Sequence, residues 1–271
     1  MEYVLLLLIG IIAGTFGGLV GLGGGVIVVP SLLFISSMGW ISQTLAPNNA
    51  VGISLMVIIF TGISATIYNS RQKRVDFKSG LFFFVAGGPM AMIGGMVNKY
   101  VHMKLFYLLF GLVMLLITYL LARKEKMKPK KVSWQVKREY TDPQGNKYEY
   151  GYNRWIAFAI TGFAGFIAGL FGIGGGAILV PMMVILFHFP PHVATATSLF
   201  IILLSASSGS ISHIIIGNII YHYAIVIGIG AYLGGNLGSY LSSKMSSKGL
   251  IIALRLVIVF VAIQLIYKGI F

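Results

Sequence analysis

The 271-residue chain is 57% hydrophobic and only 10% charged, with no cysteine and a formal net charge of +14, and its mean hydropathy is +0.90. That composition excludes an ordinary soluble domain of this length and places the chain in a bilayer. It also excludes disulfides, thiolate metal sites and sulfur-relay chemistry; the cations sit in loops beside apolar segments, so membrane topology explains the charge and nucleic acid is not a partner.

Apolar stretches run through residues 3–38, 50–68, 79–97, 105–122, 155–187, 193–217, 223–241 and 249–267. Most reach the ~20 residues of a helical crossing, and the ~10-residue alternation of an outer-membrane barrel is missing. The expected fold is an all-α polytopic membrane bundle of about 8–10 membrane segments. The start MEYVLLLLIG has no Lys or Arg before its apolar run, and that run outlasts a signal-peptide core, so it reads as a retained membrane segment.

A glycine-rich block occurs twice, as AGTFGGLVGLGGGVIVVP at 13–30 and AGFIAGLFGIGGGAILVP at 164–181. A shift of 151 superposes Gly14, Gly18, Gly21, Gly23, Gly24, Gly25 and Pro30 on identical residues, and a shift of 144 then superposes Ala50, Ser54, Leu55 and Ile58 on Ala194, Ser198, Leu199 and Ile202. This internal duplication, a transporter signature, divides the chain into a first repeat (1–122), a basic linker (123–154) and a second repeat (155–271). The linker holds ten Lys or Arg against four Asp or Glu, which places it in the cytoplasm of a multi-pass cell-membrane protein. Its KVSWQVKREY and NKYEYGY stretches flank the turn signal TDPQG, which leaves two readings: a small β-hairpin or a disordered basic tether.

The loop from Arg71 to Lys78 is cationic, whereas the matching loop from Gly217 to His222 has no Lys or Arg, so the two loops are expected on opposite sides and the halves as inverted repeats. Residues 3–34 as one straight helix would measure ~48 Å against a ~30 Å hydrocarbon core. That segment must fold back or cross twice, which makes the crossings per half odd; a single crossing would make the copies parallel instead.

Gly23, Gly24 and Gly25, and Gly174, Gly175 and Gly176, each cost a helix ~1 kcal/mol relative to alanine. They are expected to break it, with short helices resuming after them whose first amides form an anion site. Close helix packing is the alternative use of such glycines, and it is the better account of Gly14 to Gly18 and Gly165 to Gly169.

The paired blocks GGLVGLGGGVIVVP and AGLFGIGGGAILVP, each followed by a small-residue segment such as ATATSLFIILLSASSGSISH, resemble the TauE/SafE sulfite exporter family, also called the TSUP permeases. The resemblance covers essentially the whole membrane part. It implies a transporter of sulfite, sulfonates or related sulfur-containing anions. The linker lies outside the shared pattern, and the first half departs from it at NNAVGIS where the second has VATATS.

Independently of family, every acidic residue except Glu2 and Asp76 lies in the linker. A cation site in the membrane would need carboxylates, whereas an anion site needs amides and hydroxyls. Asn48, Asn49 and Ser54, with Thr195, Thr197 and Ser198, start matching segments and are candidates to converge on the glycine breaks; bonding to their own helix carbonyls is the alternative. His213 is a candidate proton relay and Arg255 a candidate anion contact, against interfacial bonding and snorkelling respectively. No metal and no cofactor is expected. The partners implied are the sulfur oxyanion or sulfonate, the lipid bilayer, coupled protons and a second copy of the chain as an open option. A membrane-embedded enzyme, or a scaffold recruiting a partner through the basic linker, are the alternative functions; an enzyme would need a general base with a carboxylate or metal partner.

Overall fold

The computed structural model describes residues 2–100, 104, 107–108, 111–112, 114–115, 118–119, 134–142 and 145–270. The apolar segment expected at 105–122 and the linker up to residue 133 lie largely outside the described residues. The elements in chain order are α1 (Glu2–Val20), α2 (Gly25–Ser37), α3 (Pro47–Arg71), α4 (Phe77–Val97), a 3-10 turn (Asn98–Tyr100), β1 (Val136–Thr141), β2 (Lys147–Tyr152), α5 (Arg154–Phe171), α6 (Gly176–Ile185), α7 (Pro191–Ile216), α8 (Tyr221–Lys244) and α9 (Ser247–Ile270). Among the described residues, seven helices are long and apolar enough to cross a membrane. Their outward faces carry large exposed apolar side chains at one-turn spacing, such as Leu8, Ile12 and Phe16 on α1 and Ile225, Ile229, Leu233 and Leu237 on α8. Water would penalise such faces, and lipid does not.

The helix starts follow local chemistry. Pro47 and Pro191 stand in the first turns of α3 and α7, where a missing amide costs nothing. Asp76 and Asn153 cap α4 and α5 by accepting the amides of Ser79 and Trp155. The short helices α2 (13 residues) and α6 (10 residues) measure about 20 and 15 Å, too short for the hydrocarbon core. Both turn back. Glu2 at the start of α1 accepts a hydrogen bond from the amide of Ser42, just beyond α2, and Phe187, just beyond α6, accepts one from Gly151 in β2, next to the start of α5.

Small residues let helices approach backbone to backbone. Gly10, Gly14 and Gly18 of α1 meet Ile227, Ala231 and Gly235 of α8, so these two helices run parallel. Gly165 and Gly169 of α5 meet Gly87 and Ala91 of α4, again in parallel. Along α3 and α7 the order reverses: Gly52 lies against His213 and Gly62 against Leu203. Gly80 and Gly95 of α4 lie against Phe200 and Ser212, so α4 follows α7. Tyr68 and Ser243 share a hydrogen bond where α3 and α8 both end. Helices α1, α3 and α8 therefore point one way, and α4, α5 and α7 the other.

β1 and β2 pair antiparallel from Val136 opposite Tyr152 to Thr141 opposite Lys147. The hairpin lies on the face where α3 ends and α4 and α5 begin, with Tyr150 and Tyr152 buried against Phe83, Phe187 and Phe189.

Candidate functional site

Each break opens on a left-handed glycine, Gly21 (φ 82) or Gly172 (φ 65), and ends on two more: Gly23 (φ 79) and Gly24 (φ 87) before α2, Gly174 (φ 83) and Gly175 (φ 66) before α6. A side chain is strained at such angles, and space forbids one as well. A Cβ on Gly24 would stand 2.6 Å from the Ala13 carbonyl oxygen, and one on Gly175 would stand 2.8 Å from that of Ala164. Each break is thus pressed onto the helix that precedes it, at matched alanines.

The two breaks also hold each other. The Ser54 hydroxyl donates to the carbonyl of Gly172 at 2.7 Å, and the Ser198 hydroxyl donates to that of Gly21 at 2.8 Å; both serines are fully buried. Gly25 lies directly against the Gly172 carbonyl and Gly176 against the Gly21 carbonyl, with no room for a Cβ at either. Ile58 and Ile202 close the junction against Gly23 and Gly174. The first two amides of each short helix, Gly25 and Val26, Gly176 and Ala177, have no acceptor among the described residues, which leaves donors and dipole for an anion. Beside Gly25 a cavity of about 30 Å³, lined chiefly by apolar residues with Tyr107 and Gln264, is water-sized. Every residue of the two breaks, 21–24 and 172–175, is buried.

Of the remaining candidates, Thr195 packs on Gly21 and so joins the junction. Thr197 does not; its hydroxyl accepts the Asp76 amide at 3.0 Å and faces α4. Asn48 and Asn49 are drawn to the α7–α8 loop, where their side-chain amides donate to the side chain and backbone carbonyls of Asn218, each at 3.1 Å. His213, fully buried, joins that cluster through Asn218 at 3.3 Å. The structure therefore separates Asn48, Asn49, Thr197 and His213 from the breaks: Asn48 and Asn49 lie more than a helical turn before Ser54 and His213 about four turns beyond Ser198, while Thr197, next to Ser198, is turned by about 100° toward Asp76. Arg255 is partly buried in α9, while the cavity beside Gly25 is lined from α9 by Val261, Gln264 and Leu265.

A second polar cluster lies on the hairpin face. Asp76 accepts the amide and hydroxyl of Ser79 and, at 3.2 Å, the hydroxyl of Tyr150, with Arg138 Nε at 3.8 Å. Burial, reinforced by the charge of Asp76, raises the Tyr150 hydroxyl pKa above the ordinary tyrosine value, so this proton is held firmly. Sequence reasoning missed Gly21 and Gly172 as acceptors, and missed Asn218, Tyr150 and Arg138 as partners. The duplication flagged Ser54 and Ser198, but which carbonyl each meets is a property of how the halves interlock.

The family model described as "Sulfite exporter TauE/SafE" matches residues 6–265. The "Probable membrane transporter protein YunE" of Bacillus subtilis is 46% identical over 272 residues, covering 100% of both chains. A "Probable membrane transporter protein" of Methanocaldococcus jannaschii is 26% identical over 92% of this chain and 90% of its own. The "Sulfite exporter TauE/SafE family protein 6" of Arabidopsis thaliana is 28% identical over 36% of this chain and 21% of its own. No solved structure matches. Similarity that runs through every helix of the bundle is inherited with the bundle, and the chain belongs to the TauE/SafE sulfite exporter family as a multi-pass membrane transporter, not an enzyme.

Proposed function

We propose that this transporter carries small sulfur-containing anions, sulfite or organosulfonates, across the cell membrane by alternating access around the junction of the two glycine breaks. The observation that carries the reading is the reciprocal capture of Gly172 by Ser54 and of Gly21 by Ser198. Each half supplies a serine to the other half's break, so a rocking of the halves changes both contacts at once and opens the junction. Free amides at the starts of α2 and α6, with the hydroxyls nearby, favour an oxyanion over a cation.

The halves act as inverted repeats in this mechanism. The opposite directions of the matched helices α1 and α5, α3 and α7, and α4 and α8 support that arrangement. The hairpin face is the cytoplasmic one: it carries Arg71, Lys73, Arg74, Lys78, Arg154 and Lys244, as the excess of cations on cytoplasmic loops requires.

Flux into proteoliposomes tests the reading, with sulfite, sulfate, thiosulfate, taurine and sulfoacetate compared in one panel. Saturable flux of sulfur oxyanions, lost in Gly24→Leu and Gly175→Leu proteins that still insert and purify as monodisperse species, is the expected result. Selectivity for cations or neutral solutes would overturn it.

A further inference from the structure

The loops that leave α3 and α7 share one backbone design and differ in chemistry. After α3 the amides of Lys73 and Arg74 close on the carbonyls of Ser70 and Asn69; after α7 those of Gly217 and Asn218 close on Ile214 and His213. Both closures use a left-handed residue, with φ 56 at Lys73 and φ 78 at Gly217. Glycine adopts that conformation freely, whereas a lysine carries a steric penalty. The second copy makes the same turn with glycine, so the backbone geometry does not call for a lysine at this position.

Lys73 borders a cavity of about 220 Å³ between this loop and the β-hairpin, lined also by Arg74, Lys78 and Arg138. At ~30 Å³ per water molecule there is room for a small anion with part of its hydration shell. Two carboxylates, Asp76 and Glu139, border the same cavity. Asp76 is already committed to Ser79 and Tyr150, and among the described residues Lys73, Arg74 and Lys78 have no carboxylate at ion-pair distance. Arg138 Nε is buried without a hydrogen-bond partner among the described residues, 3.8 Å from Asp76. Arg138 arrives from β1, so the docking of the hairpin completes the cluster.

We propose that this cavity is a capture site for a small free oxyanion such as sulfate, sulfite or inorganic phosphate, distinct from the glycine junction. Four cations on the loop and on the hairpin converge on it against two carboxylates, and that excess of positive charge concentrates anions at this mouth of the transporter. The capture role rests on the anion-transport reading above; the binding does not. A phospholipid headgroup offers the same phosphate chemistry, and the test separates the two sources.

Sulfate and inorganic phosphate are titrated calorimetrically into the full-length protein in phosphatidylcholine nanodiscs, and again in discs containing phosphatidylglycerol. The expected result is binding in both, weakened about tenfold by Lys73→Gly and by Arg138→Gln and largely restored by Arg138→Lys. Lys73→Gly also melts no lower than wild type, which distinguishes a lost ligand contact from a lost fold. Binding unchanged in both variants overturns the proposal, and so does abolition of sulfate binding by phosphatidylglycerol, which marks a headgroup site. Sulfite flux on the same proteins keeps the two readings apart: a raised KM at unchanged maximal rate is the capture role, whereas sulfate binding without wild-type flux removes only the transport reading.

Discussion

At the centre of the molecule the two halves are chemically interchangeable, since Ser54 holds Gly172 as Ser198 holds Gly21. At the two ends they are not. The loop on the hairpin face presents Lys73, Arg74 and Asp76, while the matched loop on the opposite face presents Gly217, Asn218 and Ile220 and is tied to Asn48 and Asn49 by neutral amide contacts. Under the proposed mechanism a centre that serves both sides of the membrane is alike in the two copies, and mouths that meet different compartments diverge. On that reading symmetry in this chain marks the shared site, and asymmetry marks sidedness.

The centre is the place to break that comparison hardest. Gly25→Ala and Gly176→Ala each drive a Cβ into a carbonyl of the opposite break, and a rigid backbone contact of this kind costs about 1–3 kcal/mol. Thermal melting in detergent is expected to fall by a similar amount for the two variants; a large drop for one and none for the other would end the claim that the breaks are equivalent. Next come Ser54→Ala and Ser198→Ala, which leave the Gly172 and Gly21 carbonyls unpaired in the interior at about 1–3 kcal/mol each. The double variant is expected to show coupling beyond the sum of the singles, because both bonds join the same two surfaces.

Asp76→Ala addresses the asymmetric end. Removal of the α4 cap costs about 0.5–2 kcal/mol and frees the hairpin, so protease cleavage between β1 and β2 should accelerate; no change in cleavage would show that Asp76 does not dock the hairpin. The smallest effect is expected for Tyr150→Phe, about 0.5–1.5 kcal/mol for one hydrogen bond. Because burial raises the Tyr150 pKa in the folded state, its contribution is present below the ordinary tyrosine value of ~10 and is lost as pH rises through the higher folded value. Hairpin cleavage should therefore rise steeply above about pH 10 in wild type, and Tyr150→Phe should flatten that rise.

Much of the bundle was legible from residue order. Apolar length marks crossings because a bilayer has a fixed thickness, and consecutive glycines mark a break because each carries a local helix penalty. The packing role of Gly14, Gly18, Gly165 and Gly169 was legible for the same reason: small residues one turn apart make a groove wherever they occur. The polar candidates were harder to assign. Thr195 and Ser198 reach the first break whereas Thr197, between them, faces Asp76. On a helix whose hydroxyls are scattered around the whole circumference, no polar stripe reports which face looks inward.

The amino-acid sequence by itself pointed to a membrane transporter of duplicated design with helices broken at the glycine blocks, because hydropathy, glycine cost and repeat offset are properties of the chain taken locally; the breaks fall at 21–24 and 172–175, with Gly25 and Gly176 already starting the next helices. Only the tertiary structure decided that each break is closed by a serine from the other half, and that Arg138 on a hairpin and Lys73 on a loop border one cavity. Those pairings join residues far apart in the chain, and helix rotation and interhelical packing set them. Neither leaves a periodic trace in the order of residues.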